Sequence, residues 1–219
     1  MSMFSGSLVA IVTPFFFLKF DEKAMAELIE FYIAHGTHGI VPCGTTGESA
    51  TLTAAEHELV VSVTVEVVNK RIPVIAGTGS NSTDEAITFT KHAKTVGADA
   101  ALLITPYYNK PPQEGLYRHF AAVAKAVDLP QILYNIPGRT SINMLPSTVS
   151  RLSEIPNIVG IKEGSGSLQQ VSDIIQRSHP DFFVLSGDDP LTLPMIALGG
   201  KGVITVTANV APTDMANMV

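Results

Sequence analysis

The feature that most constrains the fold of this chain is a repeated alternation of short apolar runs with helix-forming segments. The runs occupy 8–13, 39–43, 73–77, 100–105, 131–135, 158–162, 182–186 and 202–207. Each is continuously apolar rather than alternating, the pattern of parallel strands covered on both faces. The segments between them carry helix signals. Thr53 precedes Ala54-Ala55-Glu56, a capping-box pattern. Ser82 or Thr83 precedes Asp84-Glu85, which suits the positive end of a helix dipole. Pro112 or Gln113 opens a helix over 114–127, and Pro190 sits near another helix start. Gly36, Gly97 and Gly199 fall where a left-handed cap ends a helix.

Eight runs in 219 residues leave about 27 residues for each strand-helix unit. That spacing predicts one α/β domain over 1–219, a (β/α)8 barrel, which takes roughly 200–250 residues. A doubly wound sheet would have fewer strands and a glycine-rich first turn. Here the nearest match, Gly77-Thr78-Gly79, follows the third run and lacks the third glycine. The eighth unit is short: Met215, Met218 and Val219 begin an apolar helical face. The expectation is a truncated eighth helix that leaves the flank of strands eight and one less covered.

Composition narrows the function. Hydrophobic residues are 46% and charged residues 16%, which excludes a disordered chain. No run approaches the ~18 apolar residues of a membrane-spanning helix. The opening stretch lacks a basic start and contains Pro14, so it reads as a strand rather than a leader. A net charge of −6 argues against nucleic acid as a partner. Cys43 is the only cysteine, which rules out an intrachain disulfide and suits a reducing, cytoplasmic setting. His35, His38, His57, His92, His119 and His179 show no metal-ligand spacing.

In such a barrel the working residues lie at the C-terminal strand ends. Lys162 follows Ile158-Val159-Gly160-Ile161 within one short strand. A lysine there loses hydration, which favours the neutral, nucleophilic amine. The plainer reading pairs it with Glu163 or sends it to solvent. Tyr134 ends the neighbouring strand, either as a proton carrier or as a core tyrosine bonded to a backbone carbonyl. Thr45 and Thr46, between glycines, offer N–H and hydroxyl groups to a carboxylate, or simply form a turn. Arg139, past a Pro-Gly turn, either grips a carboxylate or is solvated. Cys43 reads as a structural thiol within its strand, and Asp188-Asp189 as a helix cap rather than a metal pair. Phe15, Phe16 and Phe17 read as core or interface.

GTTGES at 44–49, TPYYNKP at 105–111, YNIPGRT at 134–140 and GIKEG at 160–164 together resemble the dihydrodipicolinate synthase family. The resemblance runs from SGSLVAIVTP at 5–14 to GVITVTANVAPTDMANM at 202–218. It implies condensation of pyruvate with aspartate 4-semialdehyde on the route to diaminopimelate and lysine. It implies that Lys162 forms a Schiff base with pyruvate. Because the protonated imine is then the electron sink, no cofactor or metal is implied. Tyr134, Thr46 and Tyr108 match a proton relay, with Tyr108 reaching a neighbouring subunit's site. Thr45 and Thr46 match the loop that holds the pyruvate carboxylate, Arg139 the arginine for the semialdehyde, and Gly187 and Ile204 the lining of the site. Ser49, Ala50, His57, Asn81, Glu85 and Tyr107 match a pocket that binds L-lysine as a feedback inhibitor. The family assembles as a dimer of dimers, and its members continue past the barrel into a helical region.

Two other functions compete. One is another pyruvate-lysine aldolase, such as N-acetylneuraminate lyase. Those enzymes carry GSTGE in place of GTTGE and lack an arginine at position 139, so Thr45 and Arg139 favour the synthase. The other is a non-catalytic barrel that holds a keto acid, which would dispense with Lys162 or Tyr134; both are present.

Overall fold

A computed structural model describes residues 3–219. The eight barrel strands are β1 (Gly6–Ala10), β2 (Gly39–Val41), β3 (Ile75–Gly77), β4 (Ala100–Ile104), β5 (Gln131–Asn135), β6 (Ile158–Glu163), β7 (Phe183–Ser186) and β8 (Gly202–Thr205). The principal helices that follow them are α1 (Glu22–Ala34), α2 (Ala54–Val68), α3 (Thr83–Val96), α4 (Gln113–Ala126), α5 (Pro146–Ser153), α6 (Leu168–Arg177), α7 (Thr192–Ala197) and α8 (Pro212–Met218). All eight strands are parallel and run β2-β1-β8-β7-β6-β5-β4-β3 around the sheet. A bridge between Ile40 and Val74 joins the two ends.

Several apolar runs outlast their strands. Cys43 stands past the end of β2 with a left-handed φ of 53°, so it is not a strand residue as expected. Its thiol is buried and donates to the His57 carbonyl at 3.7 Å, and burial pushes it up to about 12. The eighth run stops at Thr205, where the chain turns into a short 3₁₀ segment, Thr207–Asn209.

The helix signals are realised in detail. Thr53 and Glu56 form the reciprocal capping box, and the Ser82 hydroxyl accepts from the Glu85 amide. Gly97 closes α3 at φ 94°, a conformation that costs a glycine little.

Two apolar layers hold the barrel. Leu8, Val41, Ile75, Leu102, Ile132, Leu185 and Ile204 fill its interior, and Phe4 closes the N-terminal end against Phe183 at 6.1 Å between ring centres. The outward residues pack beneath the helices. That layer includes Val9, Val203 and Met215. Val9 and Val203 are wholly buried, so the flank of β1 and β8 is not the open edge the sequence suggested: seven residues of α8 already cover it.

The Phe15-Phe16-Phe17 stretch is a second departure. Phe15–Phe16 pairs antiparallel with Lys19–Phe20 in a small hairpin whose tip is Phe17-Leu18. Phe17 and Leu18 are 86% and 93% exposed, so the tip belongs to no core. Among the described residues no helix is long and apolar enough to cross a membrane.

Candidate active site

Strand register places the central pair. Tyr134 on β5 is directly opposite Lys162 on β6, and both point into the barrel. Lys162 Nζ lies 4.2 Å from the centre of the Tyr134 ring. The lysine is 6% exposed, and no ion pair among the described residues includes it. The plainer alternative, a pair with Glu163, does not occur: Glu163 points to the opposite face and takes its bonds from Asn135, Ser165 and Gln170. Loss of hydration lowers the amine to about 8, helped by Arg139 and opposed by Asp189. About a tenth of the amine is therefore neutral at pH 7, far more than for a free lysine. Burial also raises the Tyr134 phenol, so the hydroxyl keeps its proton and is available as a donor.

These two groups open into a cleft of about 510 Å³ at the C-terminal end of the barrel. Thr45, Thr46, Arg139, Gly187 and Ile204 all line it. The Thr45 side chain acts on the Tyr134 phenol, and Thr46 lines the same cleft. Arg139 sits on a single helical turn, Pro137–Thr140, which Pro137 starts directly after β5. It is exposed at the mouth.

The Asp189 carboxylate bonds to the loop after β8 rather than capping its own helix as expected. It accepts from the Val206 and Thr207 amides at 3.2 and 2.9 Å and from the Thr207 hydroxyl at 2.6 Å. It thereby ties the loop after β7 to the loop after β8 beside Lys162. The available signal was its position just past a strand end, where barrel residues work.

Tyr108 is not brought into this cleft. It is 89% exposed, at a left-handed φ of 67°. A second cleft of about 400 Å³ adjoins the first, and Thr45 and Arg139 line both. Ser49, Ala50, His57, Glu85 and Tyr107 line the second cleft; Asn81 does not, and its carbonyl instead accepts from Asn109. His57 is buried and stacked on Phe89 at 4.1 Å. Its Nε2 donates to the Gly77 carbonyl at 2.8 Å, and Nδ1 has no hydrogen-bond partner among the described residues. Desolvation lowers its pKa, which keeps the ring neutral.

Residues 3–219 match the profile of the dihydrodipicolinate synthetase family. The chain is 63% identical over 216 residues to a 4-hydroxy-tetrahydrodipicolinate synthase of Syntrophobacter fumaroxidans, covering 99% of this chain and 74% of that one. Its fold matches the chloride-inhibited dihydrodipicolinate synthase of Acinetobacter baumannii complexed with pyruvate, with a TM-score of 0.95 and 52% identity over 97% of this chain and 74% of that one. It also matches the enzyme of Cyanidioschyzon merolae with lysine bound, with a TM-score of 0.95 and 45% identity over 98% of this chain and 74% of that one. A profile match over almost the whole chain, together with close relatives in sequence and in fold, shows that the chain belongs to the dihydrodipicolinate synthetase family.

Proposed function

We propose that the chain acts as a lyase of the 4-hydroxy-tetrahydrodipicolinate synthase type, condensing pyruvate with L-aspartate 4-semialdehyde in lysine and diaminopimelate biosynthesis. One observation carries the reading of the site. Lys162 is a nearly buried amine without an ion-pair partner among the described residues, held against a protonated tyrosine in a cleft with an arginine at its mouth. In its neutral form Lys162 attacks the ketone carbon of pyruvate. Tyr134 supplies the proton with which the hydroxyl leaves as water. The resulting iminium withdraws electrons, so a methyl proton is lost and an enamine forms. The enamine carbon adds to the aldehyde. The substrate's own amino group then displaces Lys162 from the imine carbon and closes the ring.

The glycine-flanked Thr45-Thr46 loop suits the pyruvate carboxylate, and Arg139 the carboxylate of the semialdehyde. Thr45 takes the relay place beside Tyr134. The outward Tyr108 suits a contribution to a neighbouring subunit's cleft, in a homo-oligomer built as a dimer of dimers. The second cleft, with Glu85 for an ammonium group, suits L-lysine as an inhibitor that reaches the first cleft through Thr45 and Arg139.

The test is incubation with pyruvate and borohydride, followed by peptide mass analysis. A reduced adduct on Lys162, with turnover of aspartate semialdehyde, is expected. Labelling without that condensation assigns the chain to another aldolase reaction, and absence of labelling overturns the covalent mechanism.

A further inference from the structure

A buried carboxylate that the mechanism does not use lies one residue beyond Lys162. Glu163 is 1% exposed and is placed opposite Asn135 in the β5–β6 register, as Lys162 is opposite Tyr134. Alternation along the strands sends Lys162 and Tyr134 inward and Glu163 and Asn135 outward, beneath the helices.

Every group that bonds to Glu163 is a donor. Its Oε1 accepts from the Ser165 amide at 2.6 Å and from Asn135 Nδ2 at 3.2 Å. Its Oε2 accepts from Asn135 Nδ2 at 3.1 Å and from Gln170 Nε2 at 3.3 Å. The amide orientations are fixed by other bonds. Asn135 Oδ1 accepts from the Met144 amide, so its Nδ2 faces the carboxylate. Gln170 Oε1 accepts from Asn143 Nδ2, so its Nε2 does the same. These donated bonds favour the ionised carboxylate and oppose burial, which raises its pKa.

We propose that Glu163 is a positioning residue whose buried carboxylate clamps the end of β6 to β5 and to the start of α6, and so holds Lys162 against Tyr134. Charge-assisted bonds from Asn135, Ser165 and Gln170 are of the stronger kind. Asn143 extends the clamp by accepting from both Asn135 and Gln170. The proposal rests on Lys162 as the Schiff-base lysine, and the two fail separately. Lys162→Arg tests that reading through loss of the adduct, whereas a Glu163 variant retains the adduct.

The test is Glu163→Gln in the full chain. Glutamine keeps the shape but turns an NH₂ group toward one set of donors. Folding is checked by circular dichroism and melting temperature. The pyruvate adduct is expected to remain on Lys162, with kcat lowered roughly 10- to 100-fold, the scale of a slight misplacement of reacting groups, and with KM for pyruvate changed less. The charged or titratable groups that face Lys162 are Tyr134 from β5, Arg139 from the turn after it, and Asp188 and Asp189 from the loop after β7. Glu163 stands behind it on the same strand, and its replacement also removes a negative charge that favours the ammonium form. The pH readout is therefore taken on Gln170→Ala, which removes one donor at the half-buried edge and keeps the Glu163 charge. A loosened β6 admits water to Lys162, so in Gln170→Ala the acid limb of the trapping rate moves to higher pH, with kcat lowered less than in Glu163→Gln. A folded Glu163→Gln with wild-type kcat, or a Gln170→Ala with kcat and limb both unmoved, overturns the proposal.

Discussion

Gly187 lies directly against Lys162: a Cβ at position 187 would stand 3.2 Å from both Cγ and Cε of the lysine. The missing side chain is what leaves room for the lysine stem at the end of β7. Gly187→Ala is therefore expected to push the amine off its line toward the cleft. A displacement of this kind costs on the order of 10-fold or more in the rate of borohydride trapping. Trapping at the wild-type rate would show that the stem moves aside freely.

Lys162→Arg is expected to abolish the trapped adduct, because a guanidinium stays protonated and forms no imine. The pH dependence of the wild type has a definite sign. Desolvation lowers the folded amine to about 8. The trapping rate should rise with pH and level off above that value. The stability linkage has the same sign. Between about 8 and the ordinary lysine value of 10.5 the unfolded chain binds the extra proton, so stability rises with pH in that window and the cost of burying the lysine is fully present below it. A trapping rate that stays flat from pH 6 to pH 9 would contradict the lowered value.

Tyr134→Phe keeps the ring against Lys162 and removes only the hydroxyl. Turnover should fall roughly 10²- to 10⁴-fold, the scale of general acid–base catalysis. The ring packing should leave the melting temperature close to wild type. Unchanged turnover would reduce Tyr134 to a packing residue.

The barrel was legible because its signals are local. Continuous apolar runs mark strands buried on both faces, and Thr53 with Glu56 writes a cap within four residues. Lys162 was legible for the same reason, as a charge inside an apolar run. The choice between Thr45 and Thr46 was not, because a glycine-flanked loop has no period to say which hydroxyl turns inward. Nor was the clamp on Glu163. Its partners Asn135, Ser165 and Gln170 are scattered over 35 positions, and only the β5–β6 register brings them together. The hairpin at Phe15–Phe20 was hidden for another reason. Its tip carries none of the glycine or asparagine that marks such turns.

The second cleft predicts binding of L-lysine to the assembled protein. Glu85, which now accepts from the Ser80 hydroxyl, is the carboxylate available to an ammonium group. Partial inhibition is expected, with a coupling of about 1–3 kcal/mol between the clefts. Glu85→Ala should weaken it strongly while leaving pyruvate trapping intact. Calorimetry that detects no lysine binding to active protein would leave His57 and Glu85 without a regulatory role.

The last prediction concerns the hairpin tip. Phe17 and Leu18 have φ of 45° and 62°, the left-handed pair of a type I′ turn. That conformation costs a residue with a Cβ roughly 1–2 kcal/mol. Both side chains are almost fully exposed, and the edge contact of Phe17 with Phe16, 4.5 Å between ring centres, offsets only part of the cost. The replacement Phe17→Asn with Leu18→Gly supplies the preferred residues for this turn. It should raise stability by about 1–2 kcal/mol, read as a higher melting temperature, without changing pyruvate trapping. A lower melting temperature would mean that the two apolar side chains are covered in the assembled protein.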